Sequence, residues 1–249
     1  MNTGDTAFMM ICAALVFFMT PGLAFFYGGL VRRKNVCNTI MACVAIMGLS
    51  VVMWTLFGYS LSFGGNHAGI IGDFRWFGLN GVGMEAGPYA DSIPHLVFCA
   101  FQMMFAMITP ALITGSLVGR MKFKALFLFV AIWSVIVYYP MTHMVWGDGG
   151  FLAAIGSVDF AGGDVVHISS GISALVLAII LGRRRGYEHT TYRIHNIPSV
   201  VLGASLLWFG WFGFNAGSAL KADGLAAHAF MTSALSPEAP FYPGCFMYT

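Results

Sequence analysis

The chain has 249 residues, of which 58% are hydrophobic and 9% charged, with a formal net charge of +2. Its mean hydropathy is +0.79, which excludes a water-soluble globule of this length and leaves a polytopic membrane protein. The small net charge gives no footing for nucleic acid or a strongly acidic partner, so what matters is how charge is divided among the loops.

A bilayer crossing needs about 20 mostly apolar residues. In chain order the qualifying stretches are 7–31, 39–63, 93–118, 125–145, 165–181 and 199–216. The first is too long for a signal-peptide core and lacks a small-residue cleavage pattern, so it is read as a helix of the mature protein. The fifth is short and carries Gly171, Ser173, Ala174 and Ala178, small residues that permit close helix approach, which predicts a central position. A seventh apolar stretch, 224–235, runs into Ser236-Pro237-Glu238-Ala239-Pro240 and is too short to cross, so residues 236–249 are read as a separate coil tail.

Ten of the twelve basic residues follow odd-numbered spans: Arg32, Arg33 and Lys34, then Arg120, Lys122 and Lys124, then Arg183, Arg184, Arg185 and Arg193. The even-numbered connections carry Asp73, Glu85, Asp91, Asp148, Asp159, Asp164 and Asp223, opposed by Arg75 and Lys221. The positive-inside rule then places the ends of the odd spans in the cytoplasm and Met1 outside. The five cysteines (Cys12, Cys37, Cys43, Cys99 and Cys245) show no metal-ligand spacing and read as small apolar fillers.

His167 lies within the fifth span, where a titratable ring is costly and marks a functional candidate. A hydrogen bond gluing two helices is the plainer alternative. Phe101 and Phe105 share one face of the third span a turn apart, and Trp146 closes the fourth. Aromatic faces of this kind hold ammonium-type cations, although in a chain with 23 Phe such rings also serve as core or lipid anchors. Ser218 brings a hydroxyl to the mouth of the sixth span. His143 reads as interfacial, and His67, His95, His189, His195 and His228 as loop residues. An enzyme using His143 and His167 has no metal-ligand spacing or nucleophile–base pair beside it.

At these residues the chain resembles the ammonium transporter family (Amt/Mep/Rh). The carrying segment is Asp159-Phe160-Ala161-Gly162-Gly163-Asp164-Val165-Val166-His167-Ile168-Ser169-Ser170-Gly171, continuing to Gly182-Arg183-Arg184. Ala7 to Cys12, Phe26 to Leu30, Phe101-Gln102, His143 to Gly147 and Trp211 to Ser218 are similar in family order. The resemblance implies an all-α fold of about eleven spans in two inverted halves. This chain would supply the first half, a sixth span and a partial seventh, with residues 1–235 as membrane domain. It implies ammonium recruitment by Phe101, Phe105, Trp146 and Ser218, and a gate of Phe105 on Phe214. Asp159 would order the outer loops, and His167 would line the pore as the first of a pair. It further implies passage of ammonium or ammonia, with methylammonium as analogue, and no cofactor. A plasma-membrane homotrimer and a PII-type cytoplasmic regulator follow from the same likeness. Because the family pattern stops near residue 235, the chain is expected to be incomplete. The alternative is a non-conducting fragment that associates with intact subunits.

Overall fold

In a computed structural model of the protein, residues 1–184, 187 and 193–236 are described. Six apolar helical spans follow one another: Thr3–Leu30, Arg33–Phe63, His95–Leu117, Phe123–Ala154, Gly163–Leu181 and Ile197–Gly217. A shorter helix, Gly224–Leu235, is capped by the Asp223 carboxylate, which accepts from Leu225 and Ala226 N–H. Of the residues read as tail, Ser236 ends this helix, and 237–249 lie outside the described residues, as do Arg185 and His189.

The first span is held against the sixth by close backbone approach. A Cβ built on Gly203 would stand 2.3 Å from Phe26 N and 2.6 Å from Gly22 O, so only glycine fits there. Gly210 and Gly213 continue the contact against Met19, Leu15 and Cys12. Between helices that gain nothing by leaving water for lipid, this depth of approach is what supplies the dispersion energy of the pair.

Among the described residues the fifth span is not the central one. The third is the buried one: 72% of its most apolar stretch is covered, against 22% for the fifth and for the sixth. Small residues on the fifth span admit the third along one side, while Ile172, Leu175, Ile179 and Ile180 on its other sides remain 57–73% exposed. Small size in a span permits contact on whichever side a neighbour stands; it does not specify contact all round.

The second and fourth spans each widen into one π-helical turn, Trp54–Gly58 and Ser134–Tyr138, and the fifth opens on another, Gly163–Ile168. The connection between spans two and three adds two small antiparallel hairpins to the helical bundle. These pair Asn66–His67 with Ile71–Gly72 and Ala86–Gly87 with Ala90–Pro94. Asp73 holds the first in place by accepting from Gly65 and Arg75 N–H and pairing with the Arg75 guanidinium. Burial pushes the Asp73 carboxyl up, but those bonds and the Arg75 charge outweigh it and hold it below the usual carboxylate range.

Two histidines read as interfacial or loop residues are buried pins of this connection. His143 has no exposed surface; its Nδ1 lies 3.0 Å from Ser62 O and its Nε2 3.4 Å from Asn66 Oδ1. His95 pairs through Nε2 with the Tyr59 hydroxyl, and its ring meets Trp76 edge-on. Their positions near loops in the sequence concealed that the loops fold back over them.

Candidate functional site

The site is assembled at the acidic end of the bundle around one carboxylate. Asp159 precedes the fifth span, and its two oxygens accept from four backbone N–H groups: Gly162 and Gly163 on Oδ1, Asp164 at 2.8 Å and Val165 at 3.0 Å on Oδ2. These are the donors that the start of a helix leaves unpaired, and an ionised acceptor satisfies them more strongly than a neutral one. The turn works because Gly162 takes φ +100°, where a Cβ would also meet Val166 at 2.7 Å. The Asp159 carbonyl accepts the indole N–H of Trp146 at 2.9 Å. One residue therefore fixes both the fifth span and the Trp146 ring.

Beside it lies a cavity of about 310 Å³ whose wall includes Phe63, Tyr89, Phe98, Gln102, Phe105, Trp146, Asp159 and Ser218. Phe105 is its floor. The Phe105 ring stands 4.9 Å from Phe101, 5.9 Å from Trp146 at 88°, and 4.4 Å from Phe214 at 41°. Behind Phe214, the His167 ring lies at 6.1 Å and stacks on Trp211 at 5.8 Å and 14°. Cavity, Phe105–Phe214 pair and His167 thus follow one another along the bundle. Among the described residues, no Lys or Arg lines the cavity.

The wall presents lone pairs and π faces. The Ser218 hydroxyl donates to Phe214 O at 2.9 Å, which commits its proton and leaves oxygen lone pairs to accept. The Trp146 N–H is likewise committed to Asp159. An enclosure of ring faces with inward acceptors and a carboxylate nearby suits a small cation. Among the described residues, no group of three or more His, Cys, Asp or Glu is placed to hold a metal ion.

Of the residues singled out in the sequence, Phe105, Trp146, Ser218 and Asp159 come together on the cavity wall, and Phe214 meets Phe105 from below. Phe101 does not reach the wall: it is fully buried behind Phe105, against Gly217. His167 is exposed along the open side of the bundle. Sequence reasoning missed Phe63, Tyr89, Phe98 and Gln102. Tyr89 arrives from the second hairpin, its hydroxyl donating to Phe63 O at 2.8 Å and accepting from Asp148 N–H at 3.2 Å, with its ring stacked on Phe98 at 7°. Nothing in a loop's composition signals such a return. Gln102 did carry a signal, since it is a polar residue inside an apolar span next to Phe101.

Residues 7–239 match the family model described as Ammonium Transporter Family. The chain is 51% identical to an ammonium transporter of Bacillus subtilis over 94% of its own length and 57% of that protein's. It is 44% identical to the ammonium transporter Amt1 of Archaeoglobus fulgidus, covering 94% and 57%. Among solved structures it matches Saccharomyces cerevisiae Mep2 with a TM-score of 0.84 at 35% identity, covering 93% of this chain and 54% of that one. A structure titled Sensor Amt Protein matches with a TM-score of 0.81 at 30% identity, covering 92% and 58%. The chain spans about half the length of the curated relatives it matches.

Proposed function

From the premise that the chain belongs to the Ammonium Transporter Family, we propose that it forms the recruiting half of a path for ammonium or ammonia across the plasma membrane. Ammonium settles in the cavity against the Phe105 and Trp146 faces and the Ser218 lone pairs, with Phe101 backing Phe105. The Phe105–Phe214 pair is the gate, and His167 lines the dry segment beyond it, where an uncharged imidazole offers hydrogen bonds without fixing a charge. One observation carries this reading: Phe105 is at once the floor of the cavity and the upper ring of the pair that leads to His167. Methylammonium fits the same chemistry. A homotrimer and a PII-type partner at the basic end remain part of the proposal by family likeness.

In the full chain as its gene encodes it, Trp146→Leu is expected to raise the half-saturating concentration of ammonium or methylammonium. The loss of one cation–π contact, about 0.5–2 kcal/mol, corresponds to roughly 2- to 30-fold. Uptake by vesicles over a concentration series measures it, and an unchanged value would leave Trp146 as an interfacial anchor.

The basic end is proposed to be cytoplasmic and the N-terminus outside. Val158, on the acidic side and 92% exposed, is the position to probe. With Cys37 and Cys245 replaced by serine, Val158→Cys is expected to react with an impermeant maleimide added to whole cells; labelling only after lysis reverses the orientation.

The second reading, a non-conducting segment that associates with other subunits, is favoured by the exposed His167 and the uncovered apolar sides of the fifth span.

A further inference from the structure

We infer that the cavity takes alkylated ammonium cations larger than its cargo, quaternary ones foremost, which lodge there from the acidic side, exclude ammonium and are not carried; the inference rests on the recruitment reading above. The first observation is scale. The cavity measures about 310 Å³, whereas an ammonium ion has the bulk of one water molecule, whose share of liquid volume is about 30 Å³. A dry pocket of about 150 Å³ is enough to hold benzene, and tetramethylammonium, four carbons around one nitrogen, is of comparable bulk. The cavity wall reaches the surface at Phe160, which is 41% exposed.

The second observation is depth. The third span gives the wall Phe98, Gln102 and Phe105, whose spacing puts them on one helical face, and a rise of about 1.5 Å per residue sets Phe98 about 10 Å from Phe105 along the axis. An ion drawn to a ring face sits within about 6 Å of its centroid, so ammonium held at Phe105 and Trp146 leaves the outer rings untouched. Those rings are Phe98, Tyr89 stacked on it at 5.3 Å and 7°, and Phe63, which meets both edge-on at 4.9 and 5.1 Å. A cation that carries methyl groups reaches both tiers. Its charge spreads over carbon surface that sheds water readily, and ring faces hold a desolvated cation more strongly than a hydrated one. It has no N–H to satisfy, and three donors of the wall are engaged elsewhere: Ser218 with Phe214 O, Trp146 with Asp159 O and Tyr89 with Phe63 O. The Asp159 carboxylate supplies the opposite charge, and among the described residues no Lys or Arg on the wall opposes it. The way down is shut, because the Phe105 and Phe214 rings stand 4.4 Å apart by centroid, in van der Waals contact. A cargo with one heavy atom needs a small parting of that pair; a cation branched in four directions needs the pair taken apart. The cavity therefore gathers cations by ring face and charge, and rejection of the wrong ones falls to the gate.

The test is ammonium uptake by liposomes holding the full chain as its gene encodes it, over a series of tetramethylammonium concentrations, with labelled tetramethylammonium followed in parallel. Tetramethylammonium is expected to raise the half-saturating ammonium concentration with the maximal rate unchanged, and its label is expected to stay outside. Its inhibition constant is expected at about one tenth of the half-saturating ammonium concentration, the gap between a desolvated and a hydrated ring contact. Tyr89→Leu, which removes an outer ring, is expected to weaken tetramethylammonium about threefold or more beyond its effect on ammonium. Absence of inhibition while Trp146→Leu weakens ammonium would overturn the inference and leave the recruitment reading standing. So would a lowered maximal rate at unchanged half-saturation, which places the inhibitor elsewhere, or entry of the label above a protein-free control, or equal effects of Tyr89→Leu on the two cations. If Trp146→Leu alters the affinity for neither cation, the recruitment reading itself fails. If Tyr89→Leu does not fold, the pattern of inhibition and the fate of the label in the parent decide alone.

Discussion

A single methyl group at position 203 is expected to stop the folded protein from accumulating. The Cβ of Gly203→Ala would press on Phe26 N at 2.3 Å, Gly22 O at 2.6 Å and Phe26 Cα at 2.7 Å, all backbone atoms. No rotamer change relieves a clash between two main chains, so the first and sixth spans must separate along their length. Separation forfeits the neighbouring contacts of Gly210 with Met19 and of Gly213 with Leu15. Small-to-large changes in well-packed interiors cost typically about 1–3 kcal/mol, and a backbone clash with no flexible partner belongs beyond that range. Fluorescence-detected size exclusion and a thermal melt in detergent measure the outcome. A melt within a few degrees of the parent would show that the two spans shift apart freely.

Asp159→Ala is expected to damage both the fold and capture. It strips the acceptor from the N–H groups of Gly162, Gly163, Asp164 and Val165 at the start of the fifth span. Each buried donor left unpaired costs about 1–3 kcal/mol, and water entering at the exposed Gly163 recovers part of the sum. A net destabilisation of about 3–5 kcal/mol is expected, in line with the loss of other networks of this kind. Because the Asp159 backbone carbonyl also holds the Trp146 indole, a loosened loop frees the ring, and with the carboxylate gone from the cavity wall ammonium affinity is expected to fall together with stability. Asp159→Asn, which keeps one oxygen, is expected to lie between. Equal melting temperatures for parent and Asp159→Ala would show that the loop holds itself without the carboxylate.

The six spans were legible because crossing a bilayer imposes a length and an apolar content that composition alone reveals, and the observed helices differ from the expected ones only at their ends. The segregation of charge was legible for the same reason. What the sequence concealed is contact. The fifth span carries the small residues of a central helix, yet it packs on one side only, because sequence records what a surface permits and not where its neighbour stands. Tyr89 escaped notice and His143 was read as interfacial because each depends on a loop folding back over the bundle, the first into the cavity wall and the second beneath Asn66. Phe101 shows the converse: its spacing from Phe105 put the two on one face, but the face turned so that Phe105 meets the cavity and Phe101 stands behind it.

Phe105 belongs to two structures, the wall of the cavity and the ring pair with Phe214. Grip and passage are consequently not independent traits of this chain. A smaller side chain at position 105 opens the way toward His167 and removes a ring from the enclosure in the same stroke; a larger one deepens the enclosure and seals the way. Selection acting on this position moves along a single line between tight capture with slow release and loose capture with free release. Escape from that line has to come from residues that touch one structure and not the other, Gln102 and Tyr89 on the side of the cavity and Trp211 on the side of the path.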